Sequence, residues 1–321
     1  MKKLIYVFAL LLSFQTFSNA QVVDEKKIAE LKEKAAKEKD GWKKGGSFGF
    51  DASALSLVNP RFGAGGNKVS FGGLGSWFAN QKKGNMLWEN TISGQLAEQR
   101  LGGNADFTKQ LDLLRYATQI GYATKNPKLY YGIKGDFETL ITPTYANNFL
   151  KPADSQDKAS SRFFSPARMK VGLGVGYKVD DHLSFFFAPA SLQAIIVSDK
   201  DIAALNIHGN DVGSTKSIQA GAQLTTRYKN KYLNDKLVYS SNLDLFTSYN
   251  HNPGRIDVLW KNDLGIVIFK NLSLNYLLEA AYDDDILVQV DRNKNGAYEK
   301  GEAGKATSFT SALLLKYNFT F

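Results

Sequence analysis

From Ser47 onward, apolar and polar side chains alternate with a period of two. In "ARMKVGLGVGYKV", Ala167, Met169, Val171, Leu173, Val175, Tyr177 and Val179 share one parity, and Arg168, Lys170, Gly172, Gly174, Gly176 and Lys178 share the other. A strand sends these sets to opposite faces, one suited to lipid or a core and the other to water. "LYYGIKGDFETLITP" repeats the pattern, with Leu129, Tyr131, Ile133, Phe137 and Ile141 against Lys134, Asp136 and Glu138. About twelve such segments follow one another, most of them roughly the length of a tilted outer-membrane strand with its ends. They start near Ser47, Lys68, Asn85, Phe107, Lys128, Pro166, Leu183, Lys216, Lys236, Arg255, Leu272 and Ala306. Short turns at 81–84, 125–127, 180–182, 230–235 and 270–271 alternate with a second set of connections that includes long loops at 146–165, 198–215 and 283–305. The pattern predicts an all-β chain folded as a single transmembrane antiparallel up-and-down β-barrel of about 12 strands.

The aromatic residues give a separate test. With the amino terminus in the periplasm, Trp77, Trp88, Tyr122, Tyr131, Tyr177, Tyr228, Tyr239 and Tyr317 fall on outward parity near the periplasmic strand ends. Tyr145, Tyr249, Trp260 and Tyr282 fall towards the other rim. Two aromatic girdles around an apolar band are expected where a barrel meets both membrane interfaces. The last segment, "LLLKYNFTF", places Leu313, Leu315, Tyr317, Phe319 and Phe321 outward and Lys316, Asn318 and Thr320 inward. It is expected to pair with the first strand, because an open edge in lipid leaves backbone groups unsatisfied. The terminal Phe321 resembles the signal read by the outer-membrane assembly machinery, so that machinery and outer-membrane lipid are the expected partners.

The first forty residues differ from the rest. Lys2 and Lys3, the apolar run from Leu4 to Phe14 and the small residues before Ala20 read as a secretory signal peptide over residues 1–20. Residues 21–45 read as a charged periplasmic leader, with Ile28, Leu31 and Ala35 at helical spacing and Glu30–Lys34 and Glu33–Lys37 as i,i+4 pairs. This short helix is either a solvated leader, a docking handle for a periplasmic or outer-membrane protein, or a plug hinged at Gly45 and Gly46. The barrel takes residues 46–321. Cleavage removes two of 40 basic residues and none of 31 acids, leaving 38 and 31, a formal charge of +7. These charges are spread along the chain rather than gathered in a stripe, so nucleic acid is not an expected partner. The absence of cysteine excludes disulfides, thiolate metal sites and a cysteine nucleophile.

Several stretches carry a family likeness: "GWKKGG" at 41–46, "GAGG" at 63–66, "VGLGVGYKVDDHLSFFFAP" at 171–189, "NPGRIDVLW" at 252–260 and "YDDDI" at 282–286. From about Trp42 onward the chain resembles the domain of unknown function 3078 family (DUF3078) of Gram-negative outer-membrane β-barrels. It departs at "LVNPRFGAGG", where Pro60, Arg61 and Phe62 stand in place of an expected Trp. The resemblance implies the barrel fold and an outer-membrane location in a Gram-negative bacterium. It implies no catalytic residue.

Candidate chemistry is sparse. "DRNKNGAYEKGE" fits a calcium loop, with Asp291, Asn293, Asn295 and Glu302 as ligands and Gly296 at the tight turn. The competing reading is a hairpin tip at Asn295-Gly296. No other cofactor is expected. Asp283, Asp284 and Asp285 read as a hydrated strand end or an addition to a cation site. His182, His208 and His251 lie in a turn and two loops, and a metal site would require them to converge. Ser248 and His251 are neighbours in sequence, but nothing marks an oxyanion hole, so the protein is not expected to be an enzyme. The inward face mixes Arg115, Lys134, Arg168, Lys170, Arg227 and Lys261 with Glu89, Asp136, Glu138, Asp244, Asp257 and Glu279. Paired, these charges fill a lumen; separated on opposite walls, they line a water path. The functional reading is a small-solute channel or transport accessory. The alternatives are a non-catalytic structural or assembly component of an outer-membrane complex and, more remotely, a membrane-embedded hydrolase.

Overall fold

The computed structural model describes residues 40–58, 68–99, 108–126, 128–145, 149–152, 154–269, 271–292 and 303–320. Residues 1–39, which hold the expected signal peptide and most of the expected leader, lie outside the described residues, as do Asn293, Asn295, Glu302 and Phe321. Fourteen strands are described: β1 (Gly41–Val58), β2 (Lys68–Lys83), β3 (Met86–Gln99), β4 (Thr108–Ala123), β5 (Leu129–Thr139), β6 (Ala167–Lys178), β7 (Leu183–Ile196), β8 (Lys216–Tyr232), β9 (Leu237–Ser248), β10 (Asp257–Phe269), β11 (Leu272–Tyr282), β12 (Val288–Gln289), β13 (Ala303–Gly304) and β14 (Ser308–Thr320). Twelve of them close into one antiparallel barrel, each beside its chain neighbour, with β14 sealing β11 to β1. β12 and β13 form a separate two-stranded ribbon inside the 283–305 loop, the stem expected of a hairpin there. One helix of a single turn, α1 (Lys200–Ala203), sits in the 197–215 loop and is capped by the Asp199 side chain.

Each side chain's face follows its parity. On β6, Val171, Leu173, Val175 and Tyr177 are exposed on the outer wall, while Gly172, Gly174 and Gly176 are buried inside. On β14, Phe309, Leu315, Tyr317 and Phe319 point out, and Ala312, Leu314 and Lys316 are buried inside. The seam is packed as well as hydrogen-bonded, with Phe48 of β1 stacked on Phe319 at 5.0 Å between ring centroids. Two glycines show why the inner face tolerates so few large side chains. A Cβ on Gly176 would run into the Tyr130 ring, and one on Gly174 would meet the Phe187 carbonyl.

The first strand starts earlier than its pattern suggests. Gly41 to Gly46 pair with β2 from Lys82 to Trp77, so the glycines assigned to a hinge are part of the barrel ladder. Their polar, glycine-rich sequence has no alternation to reveal a strand; pairing with β2 holds it. β7 contains Pro189, which has no N–H to donate. The β7–β8 register shifts between Ala188 and Ser191, a bulge that places the proline where no ladder bond is needed. The shift also changes parity: Ser184, Phe186 and Ala188 face inward before it, and Ser191, Gln193 and Ile195 after it.

Candidate functional site

The inner wall from β4 to β9 gathers the charge. Arg115 on β4 reaches Asp136 at 3.1 Å and Glu138 at 3.4 Å, both on the adjacent β5. Lys134 on β5 lies 3.3 Å from Asp136 on its own strand. It also lies 3.7 Å from Asp244 on β9, four strands away around the wall, and donates to Thr225 Oγ1 on β8 at 3.3 Å. Thr225 and Gln223 in turn donate to Asp244. These contacts cross the lumen and act as a strut between non-adjacent strands. Elsewhere Lys261 pairs with Glu279 at 3.6 Å, and Lys316 approaches Asp263 at 3.9 Å.

On the long-loop side of this strut lies a cavity of about 110 Å³. Arg115, Asp136, Glu138, Arg168, Lys170, Gln193, Gln223, Asp244, Asp257 and Asp283 contribute to its lining. Lys170 holds its ammonium 5.7 Å from the centroid of the Phe246 ring, across three strands. Every charge of this lining except Asp283 is inward by parity in the sequence. Asp263, which meets Lys316 elsewhere on the inner wall, follows the β10 parity of Asp257 and Lys261 and is legible in the same way. Gln193 is not, because the bulge at Pro189 turns it inward.

The loops above the cavity are tied down. Ala159, Val197, Ile202 and Ala203 of the 140–166 and 197–215 segments pack with Ile195 at the end of β7 in a small apolar core, and Tyr145 lies against it rather than on an outer girdle. His208 is buried there, with Nε2 2.8 Å from the Ser160 carbonyl. Burial pulls its pKa down to about 4, the Arg168 charge adds to this, and the Ser160 hydrogen bond opposes it. A second tie takes Asp284 out of the hydrated reading of 283–285. Asp284 is buried and accepts from Arg255 at 2.7 Å and Lys305 at 2.9 Å, linking two loops. The Lys305 hydrogen bond, with the charges of Lys305 and Arg255, holds its carboxyl below the usual range against the opposing effect of burial. Asp285 accepts from Gln219 and sits 3.0 Å from His251 Nε2.

The three histidines do not converge. His182 bonds the Lys229 carbonyl at the short-turn end, while His208 and His251 serve different loops. Ser248 and His251 do not form a nucleophile–base pair, since Ser248 Oγ accepts the backbone N–H of His251, whose ring faces Asp285. Among the described residues no group of three or more His, Cys, Asp or Glu is placed to hold a metal. Of the calcium-loop ligands only Asp291 is described; Asn293, Asn295 and Glu302 lie outside the described residues.

About a third of the barrel wall can be placed among known sequences. Residues 53–145 match the family model described as "Protein of unknown function (DUF3078)". The DUF3078 match runs from within β1 through β5 and includes Arg115, Lys134, Asp136 and Glu138. Of the motifs that suggested DUF3078, only "GAGG" lies inside it. No curated protein matches the chain. Similar solved structures include an outer-membrane channel from Pseudomonas putida F1, at 10% identity and TM-score 0.40, covering 88% of this chain and 97% of that one. The translocator domain of the autotransporter NalP from Neisseria meningitidis is 8% identical at TM-score 0.33, covering 92% and 95%. The outer-membrane channel DcaP of Acinetobacter baumannii is 10% identical at TM-score 0.35, covering 88% and 98%.

Proposed function

We propose that the protein is an outer-membrane barrel that passes small polar solutes through a narrow, charge-lined lumen. The observation that carries this reading is the mixed-charge wall around the cavity. A barrel that merely filled its interior would favour apolar packing, because ions taken from water are stabilised only by good partners. The outer wall supports the membrane part. Ile133, Val171, Leu173, Phe187, Leu192 and Ile218 leave an apolar surface of a kind that soluble monomers rarely expose. Tyr122 stacked on Tyr131, with Tyr177 and Tyr317, edges it towards the short-turn end, as expected of an interfacial girdle. A twelve-strand barrel is wider than one that side chains alone can fill. Lipid contact, assembly through Phe321 and calcium at Asp291–Glu302 belong to the same proposal.

A second reading is favoured by the strut. Lys134 bridges the lumen, and Phe246, Leu277 and Leu314 are buried inside the wall. A barrel closed in this way serves as a non-conducting structural or assembly component. The mature protein, refolded and inserted in a planar bilayer, is expected to show small, discrete conductance steps in salt. A fully inserted barrel that shows no steps at any salt concentration refutes the channel and leaves the structural reading.

A further inference from the structure

Most inward charges have an opposite partner within ion-pair distance: Arg115, Lys134, Lys261 and Lys316 each face a carboxylate. Three charges lining the cavity break this rule. Among the described residues, Lys170 has the Phe246 ring as its neighbour and no carboxylate within ion-pair distance. Among the described residues, Asp257 accepts only the Asp284 backbone N–H, at 3.4 Å, and the Asp283 carboxylate only the Asp285 backbone N–H, at 2.9 Å. A fourth group adds to the imbalance. Gln193 is 8% exposed, lines the same cavity, and its Oε1 has no hydrogen-bond donor. A buried acceptor left in this state is destabilising unless something enters to donate to it.

These groups stand on different parts of the wall. Lys170 is on β6 with Gln193 as its cross-strand neighbour on β7, Asp257 opens β10 and Asp283 follows β11. The cavity therefore presents an ammonium and an orphan acceptor on one side and two carboxylates on the other. We propose that it is a binding site for small zwitterions of the α-amino acid kind, a proposal that rests on the channel reading and names its solute class. The ammonium of such a solute donates to Asp257, Asp283 and Gln193 Oε1, and its carboxylate accepts from Lys170. A simple anion brings its charge to the two aspartates, and a simple cation meets Lys170, so each satisfies one wall and opposes the other. Size sets a further limit. At roughly 30 Å³ per water the cavity has room for about four waters. That holds glycine or alanine whole, whereas an aromatic side chain has to extend beyond it. Binding is expected to be weak, as passage requires a solute to leave as well as enter.

The test uses the refolded mature barrel, with folding checked by its shift in gel mobility on boiling. L-alanine, acetate, ethylammonium and L-tryptophan are titrated in turn by calorimetry, and conductance is recorded on the same preparation. Alanine is expected to bind at least tenfold more tightly than acetate, ethylammonium or tryptophan. Lys170→Gln, Asp257→Asn and Gln193→Leu are each expected to weaken alanine at least tenfold. Acetate or ethylammonium equalling alanine overturns the proposal, as does a folded barrel that binds no alanine. If a variant fails to fold, the comparison of ligands on the unmodified barrel decides. A conducting barrel without alanine binding removes the site and leaves the channel. Alanine binding to a barrel that does not conduct supports the site and removes the channel.

Discussion

Replacing Lys134 with Met removes the ammonium that spans the lumen while keeping a side chain of similar length. Its side chain is 7% exposed, and those of Asp136 and Asp244 are 15% and 20% exposed. At 3.7 Å and an effective dielectric of about 20, the Coulomb attraction to Asp244 is about 4–5 kcal/mol. Desolvation of the ammonium offsets a large part of it. Asp136 retains Arg115, and Asp244 retains Thr225 and Gln223, so neither carboxylate is stranded. The net loss is therefore expected to be about 2–3 kcal/mol, between an exposed pair and a fully buried one. Asp244→Leu alone should cost a similar amount, because it leaves Lys134 with one fewer carboxylate. The double variant should recover part of the sum, since removing both partners together leaves less unsatisfied charge. A coupling of about 1–2 kcal/mol is expected. The assay is urea unfolding of the barrel refolded in lipid vesicles, followed by the fluorescence of its four tryptophans. In the bilayer, Lys134→Met should also enlarge the single-channel conductance. Costs that add to within about 0.5 kcal/mol would show that the two groups do not act as a strut.

Three further outcomes follow from the same geometry. Leu173→Arg puts a charge in the middle of the apolar outer wall and should cost about 2–4 kcal/mol if that wall meets lipid; unchanged folding into vesicles would refute a lipid-facing wall. His208 has its pKa pulled down to about 4 when folded against about 6.5 when exposed, so the open loop takes up the proton first. Its contribution is complete above about pH 6.5 and shrinks by up to about 3 kcal/mol as pH falls towards 4. Protease cleavage within 140–166 and 197–215 should rise over that window, and His208→Gln should flatten the rise. If the Asp291–Glu302 loop holds calcium, the ion should protect 283–305 from proteolysis and Glu302→Ala should abolish the protection; equal cleavage with calcium and with chelator leaves only the hairpin.

The period-two pattern was enough to place the starts of eleven of the twelve wall strands to within about two residues, because side-chain face is a local property of an extended backbone. It also assigned the inward charges from Arg115 to Glu279 and the outward aromatics of the short-turn girdle from Trp77 to Tyr317, for the same reason, but misplaced Tyr145, which packs on the loop core. It missed the first half of β1, where Gly41 to Gly46 carry no alternation and pairing with β2 decides. What only the tertiary structure decided is which inward groups meet. Lys134 reaches Asp244 across 110 positions because closure curls the wall from β5 to β9. Asp284 is buried rather than hydrated because the loops bearing Arg255 and Lys305 converge on it. Gln193 faces the cavity because one bulge at Pro189 reverses the parity of the residues beyond it. Alternation along a strand says which way a side chain points; register, bulges and closure say what it finds there.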